Sequence, residues 1–132
     1  MNNNIEDMKT AVLDTNFLLI PQQFKIDIFS ELNYLLEEYK MVVSSATVRE
    51  LENISKKMSK AGRAAKFARK LLESHPEIEV IPTTLNADDF IVAYAKENRV
   101  VVCTNDIALK KRMNRIRVKL ITLKSKAKIG FV

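Results

Sequence analysis

Five acidic residues, Asp14, Glu50, Asp88, Asp89 and Asp106, stand where an apolar run gives way to a helical pattern or about one turn inside the helix that follows. Each has an ordinary use. A carboxylate in a first helical turn gains roughly 0.3 to 1 kcal/mol from the helix dipole and the unpaired N–H groups, and Asp88, Asp89 and Asp106 all qualify. Glu50 is harder to explain that way, because it lies inside its helix. At about 100° per residue, Val48, Leu51, Ile54 and Met58 form an apolar stripe, and Glu50 falls about 80° from its centre, on the border of the packed face. Four carboxylates brought to one crevice of low dielectric would repel one another by several kcal/mol unless cations sat between them. Such a cluster predicts metal. No cysteine or clustered histidine accompanies it, so the ions should be hard ones, Mg2+ or Mn2+, one or two in number. Their chemistry beside a basic surface is metal-assisted phosphodiester hydrolysis.

Whether the acids converge depends on the elements that carry them. In "VLDTNFLLI", Ala11 to Leu13 is a short apolar run without alternation, the pattern of a strand buried on both faces, and Asp14 follows it with Thr15 as a helix cap. Ile26, Phe29, Leu32 and Leu36 recur at helical spacing and predict a helix over about 25–39. A second strand at 41–43 closes on Ser44 and Ser45, either of which can cap a helix over 46–58. A further helix covers 61–74 and stops at His75-Pro76, since proline disfavours helical geometry in the residue before it. Strands follow at 78–81, 99–103 and 118–123, with helices at about 87–98 and, started by Thr104 and Asn105, to about Met113.

Strands alternating with helices predict an α/β fold, a three-layer α/β/α sandwich with a mainly parallel central sheet of about five strands. In such sheets the ligand crevice lies beyond the carboxyl ends of the strands. Asp14 and Asp106 belong to that edge, Asp88 and Asp89 enter it, and Glu50 can reach over it.

The 132 residues suit a single domain, 1–132, with 1–10 expected to form a flexible N-terminus. The opening MNNNIEDMKT has neither a basic n-region nor an apolar h-region, and no apolar run approaches a membrane span, so a cytoplasmic protein without a membrane partner is expected. Cys103 reads as a buried strand residue. The net charge of +6 is unevenly spread. Residues 1–54 carry 4 basic and 9 acidic side chains; residues 55–72 carry 7 basic and no acidic ones; residues 99–132 carry 10 basic ones against Asp106 alone. Clustered cations point to a polyanionic partner, nucleic acid first. Lys56, Lys57, Arg63, Lys66, Arg69, Lys110, Lys111 and Arg112 are the candidate contacts. The helices between 46 and 74 are positioned in sequence to form an arm guiding a single strand toward the acids, and the apolar C-terminus around Phe131 suggests docking, with a homodimer as one arrangement.

"VLDTNFLL" at 12–19, "VRELE" at 48–52, "ADDFIVAYA" at 87–95 and "VVVCTND" at 100–106 resemble, in order and spacing, the four acidic motifs of the PIN-domain ribonucleases. The resemblance covers nearly the whole chain. It implies that Asp14, Glu50, Asp88 and Asp106 are the catalytic, metal-binding carboxylates, with Asn16, Thr104 and Asn105 in support. The family acid of the third motif usually stands three residues before an Ile, which selects Asp88 and leaves Asp89 as second choice. Ala108 stands where the fourth motif often carries another acid, so four carboxylates are implied instead of five. "DTNFLLIPQQFKIDIFSEL" and "TNDIALKKRM" are most similar to small archaeal PIN proteins that resemble the eukaryotic small-subunit rRNA-processing nucleases. The implied activity is a Mg2+- or Mn2+-dependent endoribonuclease acting on single-stranded RNA or an rRNA precursor. The alternatives are a ribonuclease toxin, which alone implies an antitoxin partner, and a non-catalytic RNA-binding module of ribosome assembly.

A haloacid-type phosphotransferase would need a second Asp where Asn16 stands. Gly62 and Gly130 lie outside any strand-to-helix turn, which excludes a phosphate-binding glycine loop. His75, alone before Pro76, is poor material for acid–base catalysis.

Overall fold

The computed structural model describes residues 10–132. The expected flexible N-terminus therefore lies outside the described residues except at Thr10, which is already the first residue of a strand. In chain order the elements are β1 (Thr10–Leu13), α1 (Thr15–Leu18), α2 (Ile20–Phe24), α3 (Ile28–Leu35), β2 (Lys40–Ser44), α4 (Ser45–Ser55), α5 (Lys60–Ser74), β3 (Glu79–Ile81), α6 (Ala87–Glu97), β4 (Val101–Cys103), α7 (Ile107–Arg115), β5 (Lys119–Ser125) and β6 (Lys128–Phe131).

One sheet runs in the order β3-β2-β1-β4-β5-β6. Strands β1 to β5 pair in parallel, and β6 returns antiparallel along β5. Side chains alternate across it. Ala11, Leu13, Val43, Val101, Cys103 and Ile121 enter a core with Phe17, Leu18, Ile28, Leu32, Leu51 and the alanines of α5. Val12, Val42, Val102 and Leu120 enter a second core with Phe90, Ile91, Leu109 and Met113 of α6 and α7. Helices thus cover both faces, as a parallel sheet requires, and Cys103 is fully buried.

The chain steps outward from β1 through β2 to β3 on one side and from β4 through β5 on the other. Order reverses between β1 and β4, the place where the two connections diverge and leave a crevice. Leu13 and Cys103 are register partners there, so the residues that follow them leave the sheet side by side.

Three expectations are corrected. The helix over 25–39 is shorter, because Lys25 is left-handed (φ 58) and ends α2, and Asp27 then accepts from the N–H groups of Phe29 and Ser30 to start α3 afresh. The last helix begins after Asp106, not at Thr104 and Asn105: the Asp106 carboxylate accepts from Leu109 N–H at 2.9 Å. The sheet has a sixth strand, β6, whose Ile129 is buried and whose Ile129 N–H donates to Glu31 Oε1 at 2.8 Å.

Ser44 caps α4, accepting from Thr47 N–H, and Ser59 caps α5, accepting from Gly62 N–H. Gly62 is required by a close approach, since a Cβ there would meet the Lys57 carbonyl oxygen at 1.9 Å. Helix α5 buries Ala64, Ala65 and Ala68 on its inner face, within the first core. Among the described residues, no helix is long and apolar enough to cross a membrane.

Candidate active site

An open cleft of about 570 Å³ lies beyond the carboxyl ends of β1 and β4. Asp14, Glu50, Asp88, Asp89 and Asp106 all line it, together with Asn16, Thr15, Asn53, Asn86 and Arg112. The acids arrive on four separate segments: the β1–α1 junction, the second turn of α4, the first turn of α6 and the residue capping α7.

Asp14 is 3% exposed. It occupies the cap position of α1 yet makes no side-chain capping bond, so capping does not explain it. Its backbone N–H donates to the Cys103 carbonyl at 3.0 Å, and its Oδ2 accepts from Thr104 Oγ1 at 2.7 Å. Burial lifts its carboxyl to about 6, against the lowering effect of the Thr104 hydroxyl and the Thr15 N–H and with the help of the Asp88 and Asp106 charges.

The supports named from sequence do converge. Asn16 Oδ1 accepts from Asn105 N–H at 3.1 Å, which ties the turn after β1 to the loop after β4. Thr104 Oγ1 also accepts from Asp106 N–H at 3.0 Å, and Asn105 Oδ1 accepts from Thr122 Oγ1 at 3.2 Å. Thr15 is not the cap that the sequence suggests: Asp14 holds the cap position, and the Thr15 hydroxyl donates to Glu50 Oε1 and lies 3.2 Å from Thr47 Oγ1. A threonine beside Asp14 gave no signal in the sequence of a partner 35 positions away.

Asp88 and Asp89 differ sharply. Asn86 caps α6 by accepting from Asp89 N–H at 2.8 Å, and the Asp89 carboxylate accepts from Asn86 Nδ2 at 3.1 Å and pairs with Arg112 Nη2 at 3.1 Å. Asp88 is half-buried, and no hydrogen bond to its carboxylate is present among the described residues. Its carboxyl is raised by burial and by Asp106 and Glu50, with Arg112 opposing.

The donors suit a hard divalent cation: they are all oxygen, they repel one another, and Asp88 is uncommitted. They form an open arc and not a closed cage, since no three His, Cys, Asp or Glu among the described residues are close enough as they stand to clasp an ion.

The basic residues fall into two sets. Lys56, Lys57, Arg63, Lys66 and Lys111 are exposed, Lys110 is half-buried, and none lines the cleft. Arg69 donates to Ser55 Oγ at 3.3 Å and bridges α4 to α5. Arg112 alone is drawn into the cleft.

A doubly covered, mainly parallel sheet with acids gathered at its strand reversal defines a class of α/β domain with an acidic cleft at the carboxyl edge. The chain belongs to the PIN-like domain family, whose model matches residues 11–126. It is 32% identical over 111 residues to Ribonuclease VapC9 of Archaeoglobus fulgidus, a match covering 80% of this chain and 76% of that protein. The solved structure of the PIN domain endonuclease Utp24 superposes with a TM-score of 0.76 at 26% identity, over 96% of this chain and 93% of the other. A domain of a functionally unknown protein from Methanocaldococcus jannaschii shares the fold, with a TM-score of 0.63 at 20% identity over 89% and 92% of the two chains.

Proposed function

We propose that this protein is a divalent-metal-dependent endoribonuclease in which Asp14, Glu50, Asp88 and Asp106 hold the metal and Asn16, Thr104 and Asn105 hold the acids in place. The observation that carries this reading is the convergence of four carboxylates from four separate segments on one cleft at the reversal of strand order. Gathering like charge in this way is unfavourable, and a bound cation offsets it.

Mg2+ or Mn2+ bound there supplies positive charge for the phosphate and makes an attacking water more acidic. The residues supply the rest. Thr104 keeps Asp14 oriented, Thr15 keeps Glu50 oriented, and Asp88 offers a carboxylate that accepts no hydrogen bond among the described residues. The exposed lysines of α5 and α7 and of the turn before α5 supply charge for a flexible phosphate backbone.

The resemblance of "DTNFLLIPQQFKIDIFSEL" to proteins like the rRNA-processing nucleases, and the likeness to Utp24 along nearly the full chain, favour an rRNA precursor as substrate. The identity to Ribonuclease VapC9 favours a second reading, a toxin with an antitoxin partner. A ribosome-assembly module without catalysis predicts RNA binding that ignores divalent ions. The test is incubation of the purified protein with end-labelled single-stranded RNA in Mn2+, in Mg2+ and in chelator. Internal cleavage that chelator abolishes is expected; binding with no cleavage in either ion would overturn the nuclease reading.

A further inference from the structure

Among the described residues lining the cleft, Arg112 is the one cation in the company of five carboxylates. Its Nη2 donates to Asp89 Oδ1 at 3.1 Å, and the pair is part-exposed, with side chains 39% and 48% accessible. A guanidinium has five N–H donors in a planar fork, and Arg112 uses one of its nitrogens here while the others make no hydrogen bond among the described residues. Asp89 is itself fixed on two sides by Asn86, whose Nδ2 donates to Asp89 Oδ2 and whose Oδ1 accepts from Asp89 N–H. The chain thus runs Asn86 to Asp89 to Arg112 and ends in unused donors facing a cleft lined by acids.

A part-exposed ion pair of this kind adds little stability. Its position is more informative than its strength. A phosphodiester approaching an acidic cleft is repelled until positive charge meets it, and planar donors match two phosphate oxygens at once.

We propose that Arg112 is the phosphate-binding residue of the cleft, taking a non-bridging oxygen of the scissile phosphodiester, and that Asp89 is its positioning residue and not a metal ligand. Arg112 and the divalent ion then act from the same cleft, where they repel each other. Removing the guanidinium should tighten metal binding while weakening RNA binding. A residue needed only for structure would weaken both.

The inference rests on the ribonuclease reading, and one set of measurements separates their failures. Mn2+ affinity is titrated on the full chain and on Arg112→Ala, Arg112→Lys, Asp89→Asn and Asp88→Asn. Anisotropy with a labelled single-stranded RNA and cleavage rates are measured on the same proteins. Arg112→Ala should bind Mn2+ about twofold or more tighter, lose roughly one unit of salt slope for RNA, and cleave roughly tenfold to a hundredfold more slowly. Arg112→Lys should recover the salt slope and only part of the rate, because it keeps the charge and loses the fork. Asp89→Asn should leave Mn2+ affinity within about threefold while Asp88→Asn lowers it by more than about tenfold. Equal losses of Mn2+ affinity in Asp89→Asn and Asp88→Asn would overturn the inference, as would unchanged RNA salt slope in Arg112→Ala. Absence of cleavage by the unmodified protein would overturn the nuclease reading alone, since the metal and RNA titrations still decide the roles of Arg112 and Asp89.

Discussion

Thr104 Oγ1 donates to Asp14 Oδ2 at 2.7 Å and accepts from Asp106 N–H at 3.0 Å, so one buried hydroxyl joins the acid after β1 to the acid after β4. Thr104→Val keeps the shape and removes both bonds. The Asp14 carboxylate would lose its side-chain donor, its carboxyl would rise further above about 6, and the fold would lose about 1 to 3 kcal/mol. Urea unfolding measures the loss. Wild-type stability in Thr104→Val would mean that the hydroxyl does not hold Asp14.

Asp14 also sets a pH dependence. Its folded carboxyl titrates near 6 and its unfolded one near 3.8, so the folded state binds the extra proton between those values. The stability from this group is complete below about pH 4 and is lost as pH rises through about 6. Asp14→Asn carries no such charge and should therefore match the wild type near pH 4 and exceed it by roughly 3 kcal/mol at pH 7, the equivalent of moving a carboxyl from 3.8 to about 6. Denaturant titrations in chelator across pH 4 to about 7.5 read the difference. Added Mn2+ should stabilise the wild type at pH 7 and leave Asp14→Asn little changed.

Gly62 tests the backbone contact between α4 and α5. Its absent Cβ leaves room for the Lys57 carbonyl, which an alanine would meet at 1.9 Å. Gly62→Ala should lower stability by about 1 to 3 kcal/mol, although alanine is the better helix former, and thermal melts would show it. A higher melting temperature would contradict the close approach.

The exposed cations form a separate prediction. Replacing Lys56, Lys57, Arg63 and Lys66 with glutamine should reduce the salt slope of RNA binding by about two to four units and leave Mn2+ affinity unchanged. Replacing Lys110 and Lys111 should remove about two. An unchanged slope would assign either set to solvation alone.

The strand and helix order was legible because β1, β2 and β4 are buried on both faces and show it as unbroken apolar runs. The topology rules then carried Asp14 and Asp106 to one edge without any contact being known. What escaped the sequence has physical causes. Lys25 takes a left-handed conformation that no turn residue announces, so the apolar spacing across it suggested a continuous helix. Strand β6 buries Ile129 alone, between Lys128 and Gly130, too little apolar pattern to mark a strand. Arg112 looked like one more cation in a basic helix, yet Leu109 and Met113 fix the roll of α7 and send it into the cleft beside Asp89. Thr15 and Glu50 meet only because α1 and α4 pack together.

The most direct measurement pairs cleavage with folding in one acid variant. End-labelled single-stranded RNA is incubated in Mn2+ with wild type and with Asp106→Asn, whose amide oxygen can still cap α7, and circular dichroism monitors both proteins. The prediction is a folded variant whose cleavage falls by at least roughly a hundredfold. Equal cleavage by the two proteins would contradict a metal-dependent nuclease built on these carboxylates.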